Sequence, residues 1–394
     1  MIKTRLWFIC LLAAMIEGFD IQSMGVVAPS MVPALQLTPG QAGLAFSASL
    51  IGLMCGASVG GWIADRVGRR SVLTASVALF GLFSLLTALA NGFAPLLAVR
   101  FLTGLGLGGA MPMLIALASE QAGPTRKATM VALVVSGMPL GGAVAGLVAG
   151  VPMVMEDWRI IFVIGGVAPL LLTPFIRFAL PPGRRARVNN LGVKAVNALF
   201  GPEKRMITAC LWLSFALAAL TLHLLLNWLP TLLVSNGMPP SSASGVAVLF
   251  NIGAAAGGIS FGLLVDRMGP RWPLVCGFGG LAVSLFALGM ATTGGAIAAL
   301  ACAAGFLLAG GQFTLYGMAP LYYTNAVRGV GVGAAIAASR VGSIFGPVTA
   351  AQLISSGASG TTVVVALVPI VITAGAASFL LSLFPRGSTP DGET

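Results

Sequence analysis

Two acidic residues lie one helical turn apart in an otherwise apolar stretch near the start of the sequence. Glu17 and Asp20 are three positions apart, which in a helix puts both on one face, roughly 4.5 Å apart along the axis. Buried, adjacent carboxylates repel each other and lose their hydration. We therefore expect the pair to bind and release a proton as a coupled unit. The alternative is that both acids pair with arginines for structure alone.

Two arginines also lie within apolar runs. Arg100 lies near one end of its run, and by depth its nearest possible partners are Asp20 and Glu17; extension to the membrane interface is the alternative. Arg340 lies near the middle of its run, and no acid in the C-terminal part is an obvious partner. An unpaired guanidinium is a bidentate site for a carboxylate. Arg340 is thus the predicted site for an organic anion.

Other polar and aromatic side chains in apolar runs are candidates for contact with a ligand: Asn227, Trp228, Asn251, Gln312, Tyr316 and His223, with Tyr322 as a further ring surface. Core packing is the alternative for each, and it is the favoured one for a lone histidine. The five cysteines lack metal-ligand spacing, and there is no nucleophile–base constellation or phosphate loop. We expect no enzyme, no metal and no cofactor.

The composition explains which elements must position these residues. Of 394 residues, 57% are apolar and only 8% are charged, whereas soluble domains carry about 25% charged residues. Stretches of roughly 20 apolar residues, enough to cross a bilayer as a helix, lie near 5–30, 41–64, 71–91, 95–118, 127–150, 158–180, 205–230, 243–265, 272–292, 295–322, 328–353 and 361–384. The predicted fold class is an all-α integral membrane protein with twelve transmembrane helices.

Charge predicts the orientation of these helices. Lys and Arg cluster at the N-terminus, after every second apolar stretch and at Arg386, the pattern of cytoplasmic loops. We expect both termini to be cytoplasmic in a bacterial inner membrane, and the first stretch to be an uncleaved span rather than a signal peptide. Because the basic residues form no patch, the net charge of +11 does not indicate nucleic acid.

The sequence also divides into two related halves. We predict six-helix halves over 1–180 and 205–394, joined by a basic linker over 181–204. Gly61-Trp-Ile-Ala-Asp65-Arg-Val-Gly68-Arg-Arg70 returns as Gly262-Leu-Leu-Val-Asp266-Arg-Met-Gly269-Pro-Arg271, and at the same offset Pro230 matches Pro29, each predicted to end its span. Duplicated halves are typical of secondary transporters.

The Gly61–Arg70 segment resembles the signature loop of the major facilitator superfamily, and the resemblance covers the whole chain. It implies the fold of that superfamily, a monomer and a cytoplasmic gate formed by Gly61, Asp65, Arg66, Gly68, Arg69, Arg70, Asp266 and Arg267. Asp65 is expected to pair with Arg69 or with the region of Arg126 and Lys127. A plain positive-inside stop signal is the alternative, but it does not explain the repeated glycines.

The segment Glu17-Gly-Phe-Asp20-Ile-Gln22 resembles the motif of the aromatic acid:proton symporter branch, and this chain is similar to bacterial 3-(3-hydroxyphenyl)propionate transporters within it. Glu17 replaces an aspartate found in many members. The resemblance implies proton-coupled uptake of a small aromatic carboxylate, with Arg100 joining Glu17 and Asp20 in proton coupling. Alternatives are uptake of another organic acid, proton-coupled efflux, partly indicated by Gly137-Met-Pro139-Leu-Gly141-Gly142, and a non-transporting receptor or scaffold.

Glycines repeat at every fourth position in three of the stretches, as Gly52, Gly56 and Gly60, as Gly142, Gly146 and Gly150, and as Gly253 and Gly257. This spacing permits close helix contact. The resemblance implies that spans 2, 5, 8 and 11 line the contact between the halves, where small residues would allow rocking. Ordinary packing within a half is the alternative.

Overall fold

The computed structural model describes residues 2–121, 133–179, 199–201, 204–323 and 327–384. Within them, eleven helices are long and apolar enough to cross a membrane, and a shorter apolar helix occupies the place of the fifth predicted span. The predicted all-α class is confirmed. Most of the predicted linker, 181–204, lies outside the described residues, so the division at that linker stays a prediction.

The N-terminal helices are α1 Ile2–Ala34, α2 Pro39–Val67, α3 Arg69–Thr87, α4 Phe93–Gln121, α5 Gly137–Ala149 and α6 Arg159–Ala179, with a short surface helix at Pro152–Glu156. The C-terminal helices are α7 Arg205–Ser235, α8 Pro240–Met268, α9 Arg271–Met290, α10 Gly294–Met318, α11 Arg328–Ser355 and α12 Gly360–Leu383, with a 3₁₀ turn at Ala319–Tyr322.

The prediction that Pro29 and Pro230 end their spans is wrong for the helices themselves. Both prolines lie inside a helix, because α1 continues to Ala34 and α7 to Ser235. A proline removes one backbone hydrogen bond and bends a helix without having to end it. In membrane proteins such bends are tolerated because groups on neighbouring helices can bond the backbone atoms that the proline leaves free. Helices α2 and α8 end at Val67 and Met268, directly before Gly68 and Gly269, whose φ angles of 90° and 73° suit glycine.

The twelve longer helices among the described residues pack as two groups of six. In the first group α4 lies against α2 and α3, α3 also packs on α6, and α1 lies against α5 and α6. The second group repeats this arrangement with α7–α12. The two groups meet where α1 contacts α7, α2 contacts α11 and α5 contacts α8. The residues in the centre of these contacts are therefore carried by α1, α2, α5, α7, α8 and α11.

The glycine stripes of α2 and α8 hold each half together rather than joining the halves. A methyl group at Gly52 would overlap the backbone of Phe101 on α4, and one at Gly104 would overlap that of Ser49 on α2. The second half repeats this reciprocal contact 201 positions later, with Gly253 against Cys302 and Gly305 against Phe250. Ordinary packing thus accounts for these glycines. Gly146 alone of the stripes contacts the opposite half, at Val248 and Ser244.

The contacts between the halves cluster at one end of the bundle, where α1 ends and α2 begins; we call it the closed end. There Gly25 lies on the backbone of Leu226, and the Ser47 hydroxyl donates a 2.7 Å hydrogen bond to the Ile344 carbonyl. Gly43 packs against Pro347. This end is opposite the basic loops after α2 and α8.

Candidate functional site

Asp20 and Arg100 form an ion pair sealed inside the N-terminal half. Arg100 Nη1 lies 3.3 Å from Asp20 Oδ2, and both side chains are 0% exposed. The Ser84 hydroxyl donates a 2.6 Å hydrogen bond to Asp20 Oδ1, and the Arg100 guanidinium lies 5.7 Å from the centre of the Phe162 ring. Helices α1, α3, α4 and α6 therefore meet at one buried carboxylate. The expected pairing of Arg100 with Asp20 is present.

Glu17 lies one turn before Asp20 on α1, and it is buried differently. Its side chain is only 1% exposed, yet Oε2 has no hydrogen-bond partner among the described residues. Asp20 is close enough for its charge to act on Glu17. The two carboxyls are thus neighbours, as the sequence predicts. However, their surroundings differ, because the cation and the hydroxyl both bind Asp20.

Arg340 brings a positive charge from the other half towards the same place. It is half-buried on α11, and among the described residues no hydrogen bond or ion pair engages its guanidinium. Its charge acts on Glu17 and on His223 of α7. His223 Nδ1 lies 2.9 Å from the carbonyl of Ala219 in its own helix, a packing arrangement. Arg340 of α11 therefore lies near enough to Glu17 of α1 and His223 of α7 for its charge to act on both.

Two of the three predicted amide residues, Asn227 and Asn251, are already hydrogen-bonded. Asn227 Nδ2 donates to the His223 carbonyl at 2.7 Å, within α7. Asn251 of α8 instead bonds across the halves to Gln22 of α1, through bonds of 2.7 and 2.9 Å in opposite directions. Gln22 was absent from the sequence prediction. The one feature of the sequence that could have indicated Gln22 is its position five residues after Glu17, inside the segment that carries the family resemblance.

The indole of Trp228 lies in the closed end rather than on an open wall. It is buried, its Nε1–H donates to the Pro347 carbonyl at 3.0 Å, and it meets the edge of the Phe46 ring from the other half at 5.4 Å. In this conformation the Trp228 indole is thus packed against other residues of the protein. The geometry gives it a part in closing the halves, and a substrate contact stays a prediction.

The remaining aromatic candidates differ from one another. The suggestion that Tyr322 offers a ring surface is wrong in this conformation, because its side chain is 1% exposed and its hydroxyl donates to the Leu381 carbonyl at 2.8 Å. Tyr316 is 37% exposed and meets Phe215 edge-on. Gln312, one turn earlier on α10, is buried without a side-chain hydrogen bond to another described residue. No described contact joins this face to Arg340.

The loop residues predicted to gate the basic end lie at the ends of α2 and α8. Arg66 stacks on Trp62, 3.6 Å from its ring centre, and Asp266 and Arg267 are exposed. Arg69 is engaged in a contact. The side chain of Asp65 and the region of Arg126 and Lys127 lie outside the described residues. A gate role for Gly61, Gly68, Arg70 and the other loop residues therefore stays a prediction.

Two six-helix groups that carry buried charged residues and contact each other at one end are typical of secondary transporters. The chain belongs to the Major Facilitator Superfamily, whose family model matches residues 10–239 and 211–394. It is therefore a multi-pass transport protein and not an enzyme.

Relatives agree along nearly the whole chain. The chain is 40% identical to the 3-(3-hydroxy-phenyl)propionate transporter of Escherichia coli over 95% of its length and 92% of that protein. It is 32% identical to the 4-hydroxybenzoate transporter PcaK of Pseudomonas aeruginosa, over 96% and 92%. The gallate transporter of Pseudomonas putida is 31% identical, over 89% and 85%.

Solved structures confirm the fold. The nucleoside transporter NupG matches with a TM-score of 0.81 over 97% of this chain and 100% of that one, at 13% identity. The inward-open xylose transporter XylE of E. coli matches with a TM-score of 0.77 over 98% and 97%, at 17% identity.

Proposed function

We propose that this protein is a proton-coupled symporter that carries a small aromatic carboxylate into a bacterial cell across the inner membrane, with both termini in the cytoplasm. The relatives named above transport 3-(3-hydroxy-phenyl)propionate, 4-hydroxybenzoate and gallate by their names. Each of these joins a hydroxylated ring to a carboxylate. The substrate therefore needs a cation and a route through the bundle.

The observation that carries the proposal is that Arg340 and Glu17, on opposite halves, lie near enough for their charges to interact. The guanidinium has no ion pair with a described residue, and the carboxyl retains an oxygen without a partner. A substrate carboxylate fits the fork of Arg340. Asp20 is already held by Arg100 and Ser84, so Glu17 is the better carrier of the transported proton.

The same proximity accounts for coupling between the two solutes. The charge of Arg340 acts on Glu17, and an anion bound at Arg340 cancels that charge. Protonation of Glu17 then becomes easier when the substrate is present, and linkage requires the reverse to hold as well. The loaded halves rock, and both solutes leave towards the basic end. Since the closed end lies opposite the basic loops, the described conformation faces inward in this orientation.

The test is uptake of labelled 3-(3-hydroxyphenyl)propionate by proteoliposomes with an alkaline interior, with 4-hydroxybenzoate and gallate as competitors. Arg340→Ala removes the anion site, and we expect the affinity to fall about 10- to 150-fold, since hydrogen bonds to charged groups are worth about 1.5–3 kcal/mol. Arg340→Lys keeps the charge without the fork and should be intermediate. Unchanged affinity in Arg340→Ala would refute the anion site.

Glu17 is tested separately from Arg340. Glu17→Gln should retain exchange of labelled for unlabelled substrate but lose accumulation driven by the pH gradient, because it cannot carry a proton. Glu17→Asp keeps a carboxyl and is the matched control. Gradient-driven accumulation at the normal level in Glu17→Gln contradicts its role, and substrate movement only out of the vesicles would indicate the efflux alternative.

A further inference from the structure

We propose that Gln22 and Asn251 form a latch that holds the closed end shut, so that this amide pair sets the balance between the two conformations of the transport cycle. The direction of that balance relative to the membrane rests on the proposed orientation. The pair itself rests on hydrogen bonds between two buried side chains.

The geometry is that of a reciprocal amide pair. Gln22 Nε2 donates to Asn251 Oδ1 at 2.9 Å, and Asn251 Nδ2 donates back to Gln22 Oε1 at 2.7 Å. Their residues are 5% and 2% exposed. Asn251 Nδ2 also donates to the Ala247 carbonyl at 2.9 Å. Within the parts of the chain that the structure covers, no other pair of side chains forms a hydrogen bond between the halves.

A glycine on a third helix keeps the Gln22 amide in place. Gly142 of α5 lies directly against it, and a methyl group there would overlap the amide nitrogen, carbon and oxygen. The Gln22 amide therefore fits in its observed position only because residue 142 is a glycine. Gln22 is confined between α5 of its own half and α8 of the other.

The latch opens only at a cost. When the halves separate at the closed end, both bonds break together, because each amide donates to the other. Opening exchanges these two bonds for bonds to water, and an intramolecular hydrogen bond retains a modest net advantage in that exchange. Because hydrogen bonds are directional, the pair also constrains the relative orientation of the two halves. An apolar contact, such as that of Phe46 with Trp228, does not impose this constraint. Since Gln22 lies on the same helix as Glu17 and Asp20, movement of α1 connects the latch with the buried acids.

The experiment measures the closed end directly, without substrate. Spin labels at Gly40 and Ser356, exposed residues on either side of that end, report its opening in a background where the five cysteines are replaced. Gln22→Ala leaves the Asn251 amide without its partner, and we expect the ratio of open to closed molecules to rise about 5- to 150-fold, the usual range of coupling between two states. An unchanged distance distribution in the folded variant overturns the latch.

Two further variants separate a latch from a general packing defect. Gly142→Ala should open the closed end as Gln22→Ala does, although it alters neither amide, and adding it to Gln22→Ala should have little further effect because the space is then empty. Gly245→Ala on α8, which contacts nothing within 4 Å, is the matched control. Equal opening by Gly245→Ala, or full additivity of the two changes, contradicts the mechanism.

Removing both amides distinguishes the pair from its parts. Gln22→Met with Asn251→Leu replaces them by apolar groups of similar shape, a change that can be nearly neutral, and should bring the open fraction back towards the wild-type value. Failure of this recovery counts against hydrogen bonding as the cause.

Transport kinetics distinguish the latch from a substrate contact at Asn251. In a latch, Asn251→Leu raises the outward-open population, so KM for external substrate falls together with kcat, since apparent affinity scales with the competent fraction. A lost substrate contact raises KM instead, and that result would overturn the proposal. If the variants show the expected spin-label shifts but none of them transports substrate, the result would count against the transport proposal and leave the latch supported.

Discussion

The Asp20–Arg100 pair makes a sharp prediction about stability. Unit charges 3.3 Å apart attract by about 5 kcal/mol at an effective dielectric constant of about 20, and desolvation of both groups opposes this gain. Asp20→Asn leaves a fully buried guanidinium whose Nε and Nη2 already lack partners in the described structure. We expect a loss of about 3–5 kcal/mol in the free energy of unfolding, the usual cost of breaking a buried pair.

The assay is reversible unfolding of the purified protein in SDS, followed by circular dichroism. Asp20→Asn combined with Arg100→Leu removes both charges and should recover at least half of the lost stability, since replacing a buried pair by apolar groups is often neutral. If the free energy of unfolding of Asp20→Asn alone lies within about 0.5 kcal/mol of wild type, the range of ordinary surface changes, the reasoning is refuted. If the double variant is stable but does not accumulate substrate, the pair acts in coupling as well as in folding.

Two further predictions concern packing. Gly305→Ala should destabilise the protein by at least about 1–3 kcal/mol, the usual cost of overpacking, because its methyl group meets the Phe250 backbone; the fraction recovered as monodisperse protein measures this, and Gly294→Ala, in open space on the same helix, should be neutral. Trp228→Phe loses the hydrogen bond to Pro347, which joins α7 to α11 within the C-terminal half, and should lower the free energy of unfolding by about 0.5–1.5 kcal/mol in the SDS assay; unchanged stability would exclude that bond as a contributor.

Much of the architecture could be predicted because it follows from solvation. Few charges and long apolar runs leave a bilayer as the only suitable solvent, and an arginine such as Arg100 within a span requires an acid at its depth. The match between Gly61 and Gly262 likewise revealed the repeat. These inferences use local sequence and depth alone, and the structure bears out the helices and the Arg100–Asp20 contact.

The contacts between helices were harder to predict, because nothing in local sequence states which neighbour a side chain faces. Gln22 and Ser84 are common polar residues with no periodic pattern, so their bonds to Asn251 and Asp20 emerge only from the packing. The glycine stripes showed that close contact occurs but not with which helix. From sequence alone Tyr322 is a possible ring surface for a ligand. Only the structure shows that its hydroxyl donates to the Leu381 carbonyl.

The ion pair within the N-terminal half has a consequence for how the chain is assembled during synthesis. Asp20 and Arg100 are 80 positions apart, so α1 leaves the ribosome long before α4 exists. An aspartate or arginine at the centre of a helix costs about 2.5–3.5 kcal/mol on insertion scales. We therefore expect the first helix to enter the membrane without the partner of Asp20 and to reach its final position only when α4 supplies Arg100. Integration of the first span would then depend on completion of the fourth.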